Sequence, residues 1–381
     1  MLPFGCMATI LLGCQLLLPL KISKYGKLLL WLLIGCAAFQ FQLIHIFGGG
    51  NYFAPDLPGW ILLTGAWLYG IVFFSFFLLL PPMAAALVCW VICRVKKRSF
   101  EKIRNVQNIV NAAVVVAAVT ICSVGIYNAR TLPDVRHVPL TFPQLPPGTE
   151  DYRITVLADL HIDRTVSPER VAAIVEKANR LQSNAIVILG DTVDGSVERL
   201  GNAVRKLEQL QAADGVYGIM GNHEYFSGGV RWADFFTGCR IKMLMNENVK
   251  LKENFYLAGI TDPAVRRSEN PDRKPDLNRA MRGIGGDDFT LLLAHRPGHA
   301  VKASGLGVDL QLSGHTHGGM VWGFSYLVGR FNENFISGLY RVKNMLLYVS
   351  NGSAIWSGFP FRLGHDSEIT VITLKNKGNK K

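Results

Sequence analysis

Five short motifs rich in histidine and aspartate contain the side chains of this sequence that are best suited to bind metal ions. In chain order they are Asp159-Leu160-His161, Gly190-Asp191, Gly221-Asn222-His223-Glu224, the single His295, and Gly314-His315-Thr316-His317. Carboxylate, imidazole and amide groups are oxygen and nitrogen ligands of divalent metal ions. Two such ions about 3.5–4 Å apart can bind both the attacking and the leaving oxygen of a phosphoester. The residue types therefore indicate metal-dependent hydrolysis of phosphoesters.

Each of these motifs directly follows a short apolar run that we predict to be a β-strand. The five runs are residues 154–158, 185–189, 216–220, 289–294 and 310–313, and three more strands are predicted at 256–260, 346–350 and 369–374. Ligands bind at the carboxyl ends of strands in α/β sheets, so we expect the five motifs to converge. In Asp-x-His and His-x-His, alternate residues of an extended segment place both ligands on one side.

The ordered set of motifs resembles the calcineurin-like metallophosphoesterase family over about residues 152–375. Within that family, the run 314–319 and Ser350-Asn351-Gly352 are most similar to a membrane-linked branch, which includes transmembrane metallophosphoesterases and some UDP-diacylglucosamine hydrolases. Met320 is a departure, since family members usually have glutamine there. The resemblance implies a mixed α+β and α/β architecture of two facing β-sheets flanked by helices.

The resemblance also implies a role for each residue of the motifs. One metal ion would be bound by Asp159, His161 and His317, and the other by Asn222, His295 and His315, with Asp191 bridging the two. The nucleophile would be a hydroxide that bridges the ions. The mixed nitrogen and oxygen ligands suit Mn, Fe or Zn, so the metal identity stays open.

Three nearby polar residues would not bind metal. His223 would protonate the leaving oxygen or stabilise the transition state. Asp194 either supports a ligand or caps a helix, and Glu224 supports His223 or a backbone amide. Arg296 contacts a substrate phosphate or is a solvated surface residue.

The aromatic stretch 322–340 is better explained as core than as a lipid-binding rim, because it also contains predicted strands.

The first third of the chain has the composition of a membrane domain. Only 18% of the 381 residues are charged, against about 25% in a typical soluble domain. Four apolar runs, at 1–20, 28–47, 60–80 and 109–127, approach or reach the roughly 20 residues that cross a hydrocarbon core. We therefore predict a bundle of about four transmembrane helices over residues 1–127. Segment 83–95 follows Pro81-Pro82 and either extends the third span or is a separate short crossing.

The distribution of basic residues predicts the orientation of this bundle. The loops at 21–27 and 94–104 are strongly basic, whereas 48–59 carries only Asp56. Basic loops stay in the cytoplasm, so four spans place the N-terminus and everything after residue 127 on the extracytoplasmic side of a plasma or inner membrane. Because the net charge of +12 is concentrated in these loops, no nucleic-acid partner is expected.

The remaining segments complete the predicted domain organisation. Residues 128–151 are rich in proline and predict an extended linker, 152–375 form the catalytic domain, and 376–381 are a basic tail. A catalytic domain tethered to the bilayer predicts a lipid-linked or envelope phosphoester or pyrophosphate as the substrate. Two alternatives remain: a phosphodiesterase for soluble nucleotides, and a non-catalytic metal-binding scaffold in the membrane.

Overall fold

The computed structural model describes residues 2–49, 52–267 and 274–376, and for 266–267 the backbone only. The predicted basic tail lies outside the described residues except for Asn376. The chain divides into two compact units. The first consists of Met1–Tyr127 with Gly358–Pro360, and the second of Asn128–Ser357 with Phe361–Lys381.

The first unit is helical, and its apolar helices differ in number from the predicted spans. They are α1 (Leu2–Leu12, continued by a π-helical turn to Leu17), α2 (Lys24–Ala38), α3 (Gln40–Phe47), α4 (Gly59–Val95) and α5 (Glu101–Arg130). Within the described residues, only α4 and α5 are by themselves long and apolar enough to cross a membrane. Helices α2 and α3 would be a third span if counted together, but they are bent by 71°. The prediction of four spans is therefore reduced to two, or three with the bent pair.

The bend between α2 and α3 has a local packing explanation. Phe39 leaves the helical conformation, with φ −101° and ψ 18°. Its ring lies over Gly5 of α1, so closely that a β-carbon on Gly5 would be 2.9 Å from it. The ring therefore fills space that the missing side chain leaves, and the predicted straight span at 28–47 is broken there.

Helix α4 settles the ambiguous segment that follows the two prolines. It continues without interruption through Pro81 and Pro82 to Val95. Its 37 residues span about 55 Å at 1.5 Å per residue. Segment 83–95 is thus an extension of the same helix and not a separate crossing.

The second unit contains two six-stranded sheets. The first sheet consists of β1 (Asp134–Phe142), β2 (Arg153–Leu157), β3 (Ala185–Ile188), β4 (Val216–Gly218), β5 (Lys242–Met243) and β12 (Glu368–Asn376). Its strands lie in the order β1-β12-β2-β3-β4-β5.

The second sheet consists of β6 (Glu247–Lys252), β7 (Phe255–Gly259), β8 (Phe289–Leu293), β9 (Leu310–Ser313), β10 (Gly338–Val342) and β11 (Met345–Val349). Its strands lie in the order β10-β11-β9-β8-β7-β6. Strands β2, β3 and β4 are parallel to one another, as are β7, β8, β9 and β11.

The two sheets face each other across one apolar core. Val156 and Val187 of the first sheet belong to the same buried cluster as Leu257, Leu291 and Leu310 of the second. This confirms the predicted pair of facing sheets.

Helices cover the outer faces of both sheets. On the first sheet they are α6 (Pro168–Asn179), α7 (Val197–Val204) and α9 (Val230–Gly238), and on the second α10 (Leu277–Ala280) and α11 (Ala300–Ser304). Two short helices, α8 (Asn222–Phe226) and α12 (Ser325–Arg330), lie beside the motif loops.

Helix α6 shows why these segments are helical. The Ser167 hydroxyl accepts a hydrogen bond from the Arg170 N–H and Pro168 occupies the first turn, which together form a standard N-terminal cap. The apolar face of the helix, centred on Ile174, is buried.

The predicted linker over 128–151 is wrong for its central part. Residues 134–142 form β1, which pairs in parallel with β12 along its whole length, from Asp134 opposite Glu368 to Phe142 opposite Asn376. Strand β1 is the edge of its sheet, where Pro139 can be tolerated because a proline without an N–H is confined to edge strands. The proline content that suggested a linker instead marks an edge strand.

Candidate metal centre

The five motifs occupy five loops at the carboxyl ends of strands. Asp159 and His161 follow β2, and Asp191 and Asp194 follow β3. Asn222, His223 and Glu224 follow β4 and lie in α8. His295 follows β8, and His315 and His317 follow β9. Nearly all of these side chains are buried. Three groups of them have ligand atoms within 4.8 Å of one another: Asp159–His161–His317, His161–Asp194–His223, and Asp191–His295–His315. The predicted convergence is what the structure shows.

The first group contains two imidazoles that face each other. Nδ1 of His161 lies 3.0 Å from an oxygen of Asp194, which can only accept, so Nδ1 carries a proton. On the other side of the ring, Nε2 of His161 lies 3.0 Å from Nε2 of His317. The carboxylate of Asp159 lies 4.0 Å from the same His317 atom. Nδ1 of His317 is buried and has no hydrogen-bond partner within the described part of the chain.

The second group has the same character. Nδ1 of His295 donates a hydrogen bond to the Leu189 carbonyl at 2.7 Å. Its Nε2 lies 3.1 Å from Oδ2 of Asp191 and 3.2 Å from Oδ1 of Asn222. The ring of His315 packs edge-on against that of His295, with centroids 5.0 Å apart. The Nε2 atom of His295 thus lies between two oxygen acceptors, one from Asp191 and one from Asn222.

Asp191 lies between the two groups. Its Oδ2 is 3.1 Å from Nε2 of His295 and 3.9 Å from Nε2 of His161. Its other oxygen accepts a hydrogen bond from the His223 backbone N–H at 2.8 Å, which fixes the orientation of the carboxylate. One carboxylate oxygen is therefore directed at ligands of both groups.

His223 is positioned by Asp194. Its Nδ1 lies 2.6 Å from Oδ1 of Asp194, the same carboxylate that orients His161. The Nε2 of His223 lies 4.0 Å from Oδ2 of Asp191. Asp194 is buried, and it links the imidazoles of His161 and His223 with no helix-capping contact of its own among the described hydrogen bonds.

Glu224 organises the backbone of two loops. Its carboxylate accepts hydrogen bonds from four backbone amides, those of Asp191, Thr192, Val193 and Gly221. Because a buried carboxylate is costly without such partners, the four amides explain its position. Glu224 thus holds the loop that presents Asp191 and does not contact the rings.

The backbone of this region is conformationally demanding. Five of the residues described above have a positive φ between 42° and 71°, namely Asp159, His161, Asp191, His315 and His317. Such values are uncommon for residues other than glycine and cluster at functional sites. Two glycines make room for the carboxylates: a β-carbon on Gly221 would be 2.2 Å from Oδ1 of Asp191, and one on Gly314 would be 2.4 Å from Oδ2 of Asp159.

Electrostatics divide the histidines into two kinds. Burial, reinforced by the neighbouring imidazoles of His295 and His161, holds the pKa of His315 and of His317 well below the ordinary value. Burial also opposes a charge on His223, but Asp194 and Asp191 outweigh it and raise the pKa of His223 to about 9. The rings of His315 and His317 are therefore neutral, as a bound ligand must be, and His223 keeps a proton. His161 and His295 resemble His223, because burial is again outweighed by a carboxylate: Asp194 raises the pKa of His161, and Asp191 raises the pKa of His295 to about 10.

The carboxylates supply the negative charge that would attract cations. Burial raises the pKa of Asp159 to about 6, whereas at Asp191 burial is overcome by His295 and His223, which hold its pKa well below the ordinary value. A buried cluster of carboxylates and imidazoles is the donor set that divalent transition metals take. The residues present fit the predicted metal ions.

Two arginines beside the cluster have partners that sequence reasoning did not assign. Arg362 is fully buried, and its guanidinium donates to the carbonyls of Asn351, Ala354 and His365. Arg296, left open between a substrate contact and a solvated residue, donates to both oxygens of Asp262 at 2.7 and 3.3 Å. No periodicity or motif signals such contacts, because the carbonyls and the carboxylate belong to irregular loops.

The aromatic stretch after His317 was predicted mainly as core, and that prediction is wrong for its larger part. Only Phe324, Phe335 and Tyr340 are partly buried, whereas the other large apolar side chains are exposed: Trp322, Tyr326, Leu327, Phe331 and Leu339. Strand β10 lies at the edge of its sheet, so Leu339 points to solvent and not to a neighbouring layer.

Comparison with known proteins identifies a family model and several relatives of this chain. A family model of the calcineurin-like phosphoesterases matches residues 152–319. A transmembrane protein with metallophosphoesterase domain from Bos taurus is 33% identical over 291 residues, which cover 73% of this chain and 65% of that protein. An uncharacterized metallophosphoesterase from Campylobacter jejuni is 32% identical over 271 residues, 70% of this chain and 69% of that protein. A solved dimetal phosphatase from Danio rerio is 14% identical, with a TM-score of 0.36, over 54% of this chain and 88% of that one.

The chain therefore belongs to the calcineurin-like metallophosphoesterase family, which confirms the resemblance seen in the motifs. It spans just under two thirds, 65%, of the length of the Bos taurus relative. The apolar helices α4 and α5, together with that relative, support the prediction that it is a membrane protein.

Proposed function

We propose that this protein is a membrane-anchored phosphoester hydrolase that uses two divalent metal ions and acts on a lipid-linked phosphoester or pyrophosphate. The proposal rests chiefly on the position of Asp191, whose Oδ2 faces ligand atoms of two separate groups at 3.1 and 3.9 Å. A shared carboxylate between two sets of imidazole ligands is the arrangement that a pair of adjacent ions requires.

The ligand groups support an assignment of residues to the two ions. Asp159, His161 and His317 would hold one ion, and Asn222, His295 and His315 would hold the other, with Asp191 available to both. The ions are Mn, Fe or Zn, since these accept mixed imidazole and carboxylate ligands. When bound, such ions acidify a coordinated water and neutralise charge on the phosphoryl oxygens.

His223 supplies the proton that the leaving oxygen needs. Its pKa, raised to about 9 by Asp194 and Asp191 despite burial, keeps it protonated near neutral pH. Asp194 accepts from Nδ1 at 2.6 Å, so the proton available for transfer is the one on Nε2. That atom lies 4.0 Å from Asp191 Oδ2, on the side where the two ligand groups meet.

Asp194 and Glu224 act by positioning. Asp194 fixes the rings of His161 and His223 at once, so the proton donor keeps a constant relation to one ligand group. Glu224 holds the backbone amides on either side of Asp191. Contacts of this kind orient ligands, and their loss commonly reduces metal affinity or activity by about 10–100-fold.

Membrane anchoring supports a lipid-linked substrate. A catalytic domain fused to apolar helices such as α4 and α5 meets phosphoesters of the same bilayer at a high effective concentration. The basic loops of the first unit favour an extracytoplasmic catalytic domain, in a plasma or inner membrane.

The test compares matched substrates that differ only in their acyl chains. The full chain in detergent micelles is assayed for kcat/KM on a long-chain phospholipid-type phosphoester and on its deacylated form, with the Asp191→Asn variant as the inactive control. We expect the long-chain substrate to be cleaved faster. Equal values, or a preference for the deacylated form, would leave soluble nucleotides as the better substrate class, and no hydrolysis of either would favour the non-catalytic scaffold.

A further inference from the structure

An exposed apolar surface lies beside the candidate metal centre. We call the side chains of Trp322, Tyr326, Leu327, Phe331 and Leu339 the aromatic rim. Trp322 is 83% exposed and Tyr326 and Phe331 are each 80% exposed. Single exposed apolar residues need no explanation, but several large ones within eighteen residues of chain form the kind of patch that marks a binding surface.

The aromatic rim is held firmly against the loop that carries His315 and His317. A β-carbon on Gly319 would lie 2.6 Å from the backbone of Ser325, the first residue of α12. The Thr316 hydroxyl donates to the Ile336 carbonyl at 2.6 Å. Helix α12 therefore begins in direct contact with the metal loop, and the segment after it returns to the same loop.

The aromatic rim is also close to the point where the chain enters the second unit. Asn128, the first residue of that unit, donates from its side chain to the Arg362 carbonyl at 3.2 Å. The next carbonyl, that of Leu363, accepts from the Trp322 backbone N–H at 2.9 Å. Since Asn128 belongs to the last turn of α5, which ends at Arg130, Trp322 is connected through residues 362–363 to the end of that helix.

The chemistry of the aromatic rim matches the interface of a bilayer. Tryptophan and tyrosine prefer the headgroup level, where an apolar ring and a polar tip are both accommodated. Within residues 322–343 the exposed charged side chains are those of Arg330, Arg341 and Lys343 and one acid, Glu333. A surplus of basic residues beside exposed rings favours anionic lipid.

We propose that the aromatic rim inserts into the headgroup region of the bilayer that holds the protein's own helices, with a preference for anionic lipid. Each exposed ring then loses contact with water, which is favourable at about 25 cal/mol per Å² of apolar surface. Because α12 contacts the metal loop, insertion fixes the distance between the metal centre and the lipid headgroups. This goes beyond the proposed hydrolysis, since it assigns a surface for membrane contact and does not depend on turnover.

The test places a reporter on the aromatic rim of the full chain. An environment-sensitive fluorescent amino acid is incorporated at position 327, and the protein is reconstituted in nanodiscs of phosphatidylcholine with or without phosphatidylserine. We expect blue-shifted emission and quenching by nitroxide-labelled lipids, both stronger with phosphatidylserine. The same reporter at position 240, where the arginine side chain is 82% exposed, should show neither.

A variant of three exposed residues identifies the cause. Trp322→Ser, Tyr326→Ser and Phe331→Ser together should abolish the lipid quenching while leaving the hydrolysis of a water-soluble aryl phosphoester unchanged. A blue shift without lipid quenching would mean that a second copy or another segment covers the rim, and an unshifted spectrum would mean that it faces water. Either result would overturn the proposal. The Asp191→Asn variant should keep the quenching of the reporter at position 327 by lipid. A failure of the hydrolysis mechanism can therefore be distinguished from a failure of membrane insertion.

Discussion

The Nε2 atoms of His161 and His317 lie 3.0 Å apart in the interior of the second unit. Nδ1 of His161 is directed the other way, to Asp194, so the two buried rings face each other through their Nε2 nitrogens. Such an arrangement is unfavourable unless a proton or a cation lies between the nitrogens. With Asp159 beside them, the pair defines one of the two proposed metal positions.

Removing one of these rings should remove one ion. In His317→Ala, we expect the metal content of the purified full chain to fall from about two ions to about one, with activity lost as well. His137→Ala is the matched control, because that histidine is exposed on β1. Inductively coupled plasma mass spectrometry gives the ion count, and an unchanged count in His317→Ala would contradict the assignment of this ligand.

His223 should separate catalysis from metal binding. His223→Ala is expected to retain both ions and to lose roughly 10²–10⁴-fold in kcat, the usual contribution of a positioned general acid. Measuring both the ion content and the kcat of this variant decides whether His223 is a general acid or a metal ligand. Loss of an ion from this variant would make His223 a ligand and would remove the proposed proton donor.

Adding one methyl group at position 314, where the chain has glycine, should disrupt the site. A β-carbon there would be 2.4 Å from Oδ2 of Asp159, so Gly314→Ala should displace that carboxylate and cost about 1–3 kcal/mol, as overpacking does. Gly286→Ala is the control, since a β-carbon at that position would meet nothing within 4 Å. Thermal unfolding of both variants, measured with their activity, checks this, and equal behaviour of the two would show that the glycine is not required.

The convergence of the motif side chains was predictable from sequence because they are carried by short motifs at strand ends. The grouping of His161 with His317 came from the resemblance to the family, and the two rings do lie together. The contacts of Asp194 were not predictable, because a carboxylate shared by two rings depends on how two loops approach each other in space. Arg362 gave no signal, since its partners are backbone carbonyls of an irregular loop.

The fold was predictable where apolar runs are long and buried. Strands such as β8 are buried at every position and were found, whereas β1 was missed because Pro139 suggested an irregular segment. Short or edge strands such as β5 and β10 carry too few buried residues for a pattern. The exposure of the aromatic rim depends on which neighbours are present, so hydrophobicity alone predicted a core.

The side of the membrane can be checked with a pair of engineered cysteines. Glu150 and Lys97 are both exposed, and basic loops such as the one containing Lys97 are retained in the cytoplasm. In a background without the native cysteines, an impermeant maleimide added to intact cells should modify a cysteine at position 150 but not one at position 97. Labelling at 97 alone would place the catalytic domain in the cytoplasm.

Asp191 offers the most direct test of the two-metal site, because its Oδ2 faces both ligand groups. Asp191→Asn nearly preserves the shape of the side chain while removing its charge, so the measurement is the metal content and the phosphoesterase activity of this variant against the parent chain. We predict that the parent binds about two ions, that the variant binds fewer, and that most of its activity is lost. Full activity in the variant, or activity of the parent that survives exhaustive chelation, would contradict a mechanism built on two bound metal ions.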